Sequence, residues 1–109
     1  MLPRSHRLTR NRDIVGVLRR GERRRVPPLE LRIGRPSPKA RFAFVISTKV
    51  SKRAVIRNRI RRRLRAVIAA ELPNLPARDY VIVVNPGAPT LTRAQLIDQF
   101  THLLGTRST

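Results

Sequence analysis

The residues with the most evident chemistry form one arginine-rich run near the middle of the chain. Residues 52–65 read Lys-Arg-Ala-Val-Ile-Arg-Asn-Arg-Ile-Arg-Arg-Arg-Leu-Arg, in which eight residues are basic and none is acidic. A guanidinium group presents a planar fork of N–H donors that matches the oxygen atoms of a phosphate, and it also stacks on nucleobases. The chemistry that this run favours is the binding of a polyanion.

The apolar residues within the run predict an amphipathic helix from about Ser51 to Glu71. At about 100° per residue, one side of this helix carries an apolar stripe. The stripe consists of Ile56, Ile60, Leu64, Val67 and Ile68. The opposite side carries Asn58, Arg61, Arg62 and Arg65, with Arg59 at its edge and Arg57 and Arg63 beside the stripe. One face is therefore expected to anchor the helix while the other presents phosphate-binding groups.

An ordinary solvated helix face is the alternative interpretation of this run. Such faces mix charges of both signs, whereas like charges four residues apart here, as at Arg57 and Arg61, repel by a few tenths of a kcal/mol per pair. Contact with a polyanion is therefore favoured. Asn58 interrupts the arginines, and its amide could contact a sugar or base edge or orient a metal-bound water. A plain surface asparagine is the alternative for that position.

The composition of the whole chain supports the same interpretation. Its 109 residues include 25 Lys or Arg and 6 Asp or Glu, a formal net charge of +19, and all but three of the basic residues are Arg. So much charge repels itself in a compact domain unless a polyanion is present. Nucleic acid fits better than a membrane surface, because no segment pairs a basic face with bulky interfacial aromatics. Composition alone leaves RNA and DNA both open.

Several other classes of protein are disfavoured by the sequence. Without Cys there is no disulfide framework or Cys-ligated zinc, and apolar runs of about five residues are too short to span a bilayer. The N-terminus lacks the apolar stretch of a signal peptide, so a cytoplasmic protein is expected. The acids are scattered, and nothing fixes His6 relative to His102, so no catalytic or metal site on the protein is expected.

The elements around the run predict a single α+β domain over residues 1–109. A helix is expected from Thr9 to Arg20, ended by Gly21, and a last helix opens at the capping box Thr92-Arg-Ala-Gln95. Strands are expected at 29–33 (half-buried), 41–47 and 80–84 (both buried on two faces), with a turn at 34–39. The ends, 1–8 and 105–109, are expected to be a flexible basic arm and a flexible tail. The economical architecture is a two-layer α/β sandwich.

The arginine run resembles a known family signature. The pattern Ser51-x-x-Ala54-x-x-Arg57-Asn58-Arg59-Ile60-Arg61-Arg62-x-Leu64-Arg65 is similar to that of the bacterial ribonuclease P protein component. Supporting segments are Arg7-Leu8, Asp13-Ile14-x-x-Val17-Leu18 with Gly21, Arg41-x-Ala-x-x-Ile-Ser47-x-Lys49 and Asp79-Tyr80-Val-Ile-Val. The resemblance covers about residues 4–104.

The resemblance implies a fold in the order αβββαβα, like the second domain of ribosomal protein S5. It adds a third early strand near 22–27. It also implies a left-handed strand–helix–strand crossover, although general topology rules favour a right-handed one.

The function that the resemblance implies is that of a protein subunit in a ribonucleoprotein. In the family, the protein pairs with a catalytic RNA that uses Mg²⁺ to remove the 5′ leader from precursor tRNA, and no further protein partner is obligatory. The implied RNA-contacting residues are Arg57, Asn58, Arg59, Arg61, Arg62, Arg65, Lys52, Arg53, Arg41 and Lys49. The implied leader cleft, between the first helix and the sheet, involves Ile14, Leu18, Arg32 and Ser47, with Glu30 at its border.

Two alternatives accompany this hypothesis. A ribosomal-type protein that only stabilises rRNA would share the composition and the fold, and a small RNA-degrading enzyme acting alone would need a catalytic set that the scattered acids do not suggest. The family also often has aromatics at the positions of Ile14, Leu18 and Arg32, so apolar or arginine contacts would have to replace base stacking here.

Overall fold

The computed structural model describes residues 4–105, and within them the order of helices and strands is αβββαβα. The elements are α1 (Asn11–Arg20), β1 (Glu22–Val26), β2 (Leu29–Pro36), β3 (Arg41–Ile46), α2 (Ala54–Glu71), β4 (Arg78–Val84) and α3 (Arg93–Leu104). Short 3₁₀ turns lie at Arg4–His6, Leu72–Asn74 and Ala88–Thr90. The predicted order is confirmed, including the early strand β1.

The four strands form one sheet in the order β1-β2-β4-β3. The β1–β2 and β2–β4 pairs are antiparallel, whereas β3 and β4 are parallel neighbours joined through α2. Because α2 must return the chain to the starting end of the sheet, its first turn lies near the end of β3 and its last turn near the start of β4. The left-handed sense of this crossover stays a prediction.

Helices cover both faces of the sheet. The larger core packs α2 and α3 against one face, around Leu31, Ile82 and Phe100. A smaller core packs α1 against the other face, where Val17 contacts Val81. Gly34 permits this close approach, because a Cβ there would lie 2.7 Å from Val17 Cγ2.

Strand β2 differs from the half-buried strand that its alternating pattern predicts. It runs to Pro36, beyond the predicted end at Ile33, and both of its faces are covered over Leu29–Leu31. The reason is that α1 occupies the face that alternation assigns to solvent, so Glu30 is only 5% exposed. Strand β3 differs in the opposite sense, because Phe44 to Ile46 are half-buried at the sheet edge.

Helix α2 begins three residues later than predicted. Ser51 Oγ accepts a hydrogen bond from the backbone N–H of Arg53 at 3.2 Å, which favours a turn before the helix. Its predicted end at Glu71 is confirmed. The capping box of α3 is also confirmed, since the side chains of Thr92 and Gln95 each accept the other's backbone N–H.

The N-terminal segment makes contacts that the prediction of a flexible arm over 1–8 did not include. Leu8 is buried under α1, Arg7 forms a parallel bridge with Phe42, and His6 Nδ1 lies 2.7 Å from the carbonyl oxygen of Ala40. The segment therefore extends the sheet beyond β3. Residues 1–3 of the predicted arm and 106–109 of the predicted tail lie outside the described residues.

Candidate nucleic-acid interface

The arginine surface of α2, defined as Arg57, Asn58, Arg59, Arg61, Arg62 and Arg65, is held in place by the predicted apolar stripe. Ile60, Leu64, Val67 and Ile68 are buried against the sheet and Ile56 is half-buried. On the outer side, Asn58, Arg59 and Arg62 are exposed, whereas Arg57, Arg61 and Arg65 are half-buried. The predicted apolar stripe is confirmed, whereas Arg61 and Arg65, predicted on the side opposite the stripe, are half-buried and line a groove.

No carboxylate neutralises this surface within residues 4–105. The four ion pairs there engage Arg23, Arg24, Arg32 and Arg41, none of which lies on α2. The arginines of α2 turn to neutral acceptors instead. Arg57 donates to the carbonyl oxygen of Ser51 at 2.8 Å, and Arg61 donates to Asn58 Oδ1 at 2.8 Å. Asn58 thus orients Arg61 without reducing its charge.

A groove of about 320 Å³ lies between α2, β3 and the N-terminal segment, and we call it the edge groove. Arg61 and Arg65 form one wall, Arg7 and Ile14 form another, and Phe44 lies between them. The Arg65 guanidinium lies over the Phe44 ring, 5.7 Å from its centroid, a cation–π contact. Arg65 Nε is buried and has no hydrogen-bond partner among the described residues.

The edge groove concentrates positive charge. Burial lowers the pKa of Arg65, and the nearby charges of Arg7 and Arg61 lower it further. Arg7, Arg61 and Arg65 all line this groove, so like charges lie near one another and repel. A bound phosphate would offset that repulsion, because its oxygens accept from several guanidiniums at once.

The loop between β3 and α2 adds further polar and cationic side chains at the N-terminal end of α2. Ser47, Lys49, Lys52 and Arg53 are exposed in this loop. Ser47 Oγ accepts the backbone N–H of Lys49 at 3.2 Å, so it forms a turn at the end of β3. The first turn of α2 contains no acidic residue. The positive end of the helix dipole therefore adds to these cations.

Arg41 does not belong to the arginine surface. It begins β3, at the opposite end of that strand from Ser47, and holds Asp79 in a bidentate pair at 2.8 and 2.9 Å. The hydrogen bonds that Arg41 donates to the Asp79 carboxylate raise the pKa of Arg41. The structure therefore separates Arg41 from the other predicted RNA-contacting residues and gives it an internal partner.

The predicted leader cleft contains an ionic network around the buried carboxylate of Glu30. Arg32 donates to the carboxylate of Glu30 and to the carbonyl oxygen of Leu18, in the last turns of α1. Glu30 also pairs with Arg23 of β1 at 3.3 Å. The network joins α1 to the sheet. It was missed from the sequence, although Glu30 and Arg32 are two apart on a strand and so share one face.

The remaining predicted cleft residues divide between two places. Ile14 and Leu18 pack beside Val45 and Val83 in the smaller core, and Ile14 also lines the edge groove. Ser47 lies beyond the end of β3, and no described contact joins it to the others. The structure thus brings Ile14, rather than Arg32, together with the arginines of α2.

The part of the chain that the structure describes holds no cluster of three or more His, Cys, Asp or Glu side chains that could bind a metal ion. Its helices are also neither long nor apolar enough to cross a membrane.

The fold and this surface define a small basic α+β protein with a cationic helix face. The family model for Ribonuclease P matches residues 2–107. The chain is 41% identical over 111 residues to the ribonuclease P protein component of Acidothermus cellulolyticus, covering 96% of this chain and 90% of that one. That of Streptomyces bikiniensis is 36% identical, covering 88% and 86%. The chain belongs to the family of ribonuclease P protein components.

Solved structures agree on the fold. The RNase P protein of Staphylococcus aureus superposes with a TM-score of 0.86 at 21% identity, covering 91% of this chain and 92% of that one. The protein of Thermotoga maritima gives a TM-score of 0.81 at 16% identity, covering 94% and 98%. As a member of its family, the chain is the protein subunit of an endoribonuclease ribonucleoprotein in tRNA processing, and its partner is the RNase P RNA.

Proposed function

We propose that Arg57, Asn58, Arg59 and Arg62 of the arginine surface bind the catalytic RNA. Arg61 and Arg65, which also line the edge groove, would bind the 5′ leader of precursor tRNA there. The observation that supports the first part is the absence of any described carboxylate partner for the arginines of α2. A surface that the protein leaves uncompensated is completed by external phosphates. Lys49, Lys52 and Arg53 extend the same contact at the start of the helix.

The leader assignment follows from where Ile14 and Arg32 lie. Arg32 donates one hydrogen bond to Glu30 and another to the carbonyl oxygen of Leu18 at the end of α1. We therefore assign this side chain a structural role. Ile14 faces Arg61 and Arg65 across the edge groove. A single strand there would place its phosphates on the arginines and a base against Ile14 or Phe44. Apolar and arginine contacts would thus replace the aromatic stacking that is common in the family.

The protein's part in catalysis is assistance. Its arginines neutralise phosphates that would otherwise repel one another. The catalytic RNA and the substrate therefore approach more closely, and less salt is needed to screen their charges. We propose that the Mg²⁺ ions of the reaction are held by the RNA. We also place the assembly in the cytoplasm and assign it no obligatory second protein.

The test is cleavage of precursor tRNA by the cognate catalytic RNA at low Mg²⁺, with and without protein. Arg61→Gln/Arg65→Gln should lose most of the stimulation for a precursor with a leader of several nucleotides and less for one with a single leader nucleotide. Arg25→Gln/Arg93→Gln, which removes the same charge from exposed positions elsewhere, is the matched control. Equal losses with both precursors would contradict the leader assignment. Failure of the unmodified protein to stimulate, together with tight rRNA binding, would favour the ribosomal alternative.

A further inference from the structure

A second cleft, of about 750 Å³, lies on the side of α1 away from the edge groove, and we call it the rear cleft. It opens at the starting ends of β3 and β4. The lining residues that matter here are Arg12, Gly16, Arg20, Arg35, Arg41 and Arg78.

The rear cleft is separate from the proposed leader site because the two use opposite sides of α1. At 100° per residue, Ile14 and Leu18 lie about 40° apart, and Gly16 lies about 160° from each of them. Arg12 and Arg20 share the side of Gly16, being four residues before and after it. A ligand in the rear cleft would therefore not occupy the edge groove.

The guanidinium groups of the rear cleft fall into two sets. Arg41 is fixed by Asp79, and Arg78 donates to the carbonyl oxygen of Gly34 at 2.8 Å, so both are oriented before any ligand arrives. Arg12, Arg20 and Arg35 are exposed, and their side chains have no hydrogen bond or ion pair within residues 4–105. The cleft thus combines a floor whose arginines are already oriented by internal partners with three uncommitted arginines at its rim, and these three supply its net positive charge.

The carboxylates that line the cleft do not cancel this charge. They are Asp13, Glu22 and Asp79, against five arginines. Asp79 is taken by Arg41, and Glu22 pairs with Arg24 outside the cleft at 3.1 Å. Asp13 contributes to the raised pKa of Arg41 but forms no described hydrogen bond. The lining therefore keeps a net positive charge.

Gly16 gives the cleft room for close approach. It lies in the middle of α1, where glycine is a poor helix former. A Cβ built at this position meets no atom within 4 Å, so no packing inside the protein requires the glycine. What the missing side chain does provide is bare helix backbone facing the cleft, against which a ligand's own backbone can lie.

We infer that the rear cleft binds the phosphate backbone of a single RNA strand. The α1 helix that borders the cleft is ten residues and about 15 Å long, and an extended single strand can lie along it. This inference rests on the proposed function, since it takes RNA as the working partner. The rear cleft and the arginine surface of α2 would then hold two RNA segments on different sides of the protein.

The first experiment compares two triple variants of the full chain. Arg12→Gln/Arg20→Gln/Arg35→Gln removes the rim, and Arg19→Gln/Arg25→Gln/Arg93→Gln removes equal charge from exposed positions that do not line it. Affinity for the catalytic RNA and for precursor tRNA is measured separately between 50 and 400 mM salt. For one of these two RNAs, the rim variant should lower the slope of log K against log salt by about 2, which corresponds to about 0.7 for each of the three lost phosphate contacts. Equal slopes for the two variants would overturn the inference.

A second experiment uses the lack of cysteine in the chain. An iron chelate tethered to Arg35→Cys should cleave one single-stranded RNA region in the holoenzyme, and the same chelate on Arg93→Cys should not. Gly16→Leu should weaken binding of that RNA while leaving the melting temperature unchanged or higher. The inference is refuted if Gly16→Leu binds that RNA normally. It is also refuted if the tethered chelate cleaves no RNA and inorganic phosphate is the only ligand found to bind in the rear cleft. Both experiments leave α2 intact, so their failure is distinguishable from failure of the proposed function.

Discussion

Replacing Arg59 and Arg62 by Gln should weaken binding of the catalytic RNA without affecting the fold. Both side chains are exposed on α2, and neither has a hydrogen bond or ion pair within the described part of the chain. The variant therefore removes two charges and breaks no described contact. Exposed substitutions of this kind change the free energy of unfolding by about 0.5 kcal/mol or less.

The size of the effect follows from counterion release. Each phosphate contact contributes about 0.7 to 0.9 to the slope of log K against log salt, so two lost contacts lower the slope by about 1.4 to 1.8. Between 1 M and 0.1 M salt this difference amounts to about 25- to 60-fold in affinity, or about 2 kcal/mol at 0.1 M. The unmodified protein should lose about a thousandfold between 50 and 200 mM if six contacts form.

The assay is a salt titration of binding to the catalytic RNA, with circular dichroism to verify folding. Arg25→Gln/Arg93→Gln is the matched control, because it makes the same change in net charge at exposed positions away from α2. The reasoning is refuted if the α2 variant and the control have the same slope, or if the unmodified protein shows an almost flat salt response.

Three further predictions concern the framework that positions the site. Leu64→Ala, at a fully buried position under the arginine surface, should lower the free energy of unfolding by about 2 to 5 kcal/mol in urea denaturation, and a smaller loss would mean that the stripe is not the anchor. Asp79→Ala removes the bidentate partner of Arg41 and should cost about 2 kcal/mol, whereas the exposed Asp98→Ala should cost less than about 0.5 kcal/mol; equal costs would contradict a structural role for the pair. Burial raises the pKa of the Tyr80 hydroxyl, so the folded state disfavours the phenolate, and stability that is present below about pH 10 should fall as the pH rises further. Urea titrations from pH 8 to 11 should show this decline in the unmodified protein and a flatter profile in Tyr80→Phe; parallel profiles would contradict it.

The part of the site that lies on α2 could be predicted from the sequence because it depends on one local period. A repeat of apolar residues every three to four positions fixes which side of a helix is buried, and the arginines then fall on the other side. The burial of Ile60, Leu64, Val67 and Ile68 confirms this prediction. Strands β2, β3 and β4 were found for a similar reason, with ends shifted by one to three residues, whereas β1 was expected only from the family resemblance.

The rest of the site depends on contacts between distant segments, for which one sequence carries little signal. The positions of Arg41 and Arg32 illustrate this. Arg41 lies only a short distance before the arginine run in the sequence. In the fold, however, the six-residue strand β3 separates the two, and Arg41 lies at the other end of the sheet beside Asp79. Arg32 donates hydrogen bonds to Glu30 and to the carbonyl oxygen of Leu18 in α1. The alternating pattern along β2 gives no indication of the contact with the helix. The bridge between Arg7 and β3, and the shared groove that places Arg7 near Arg61 and Arg65, likewise arise only in the folded chain.

The most direct measurement places a photocrosslinker on a single cysteine at Arg62 in the cysteine-free chain and maps crosslinks in the assembled holoenzyme. The control carries the same reagent on Arg93→Cys, at an exposed position at the start of α3. If the arginine surface of α2 lies on the catalytic RNA, Arg62→Cys crosslinks to a defined region of that RNA and the crosslink disappears in high salt. Crosslinks from Arg93→Cys alone, with none from Arg62→Cys, would show that α2 faces away from the RNA.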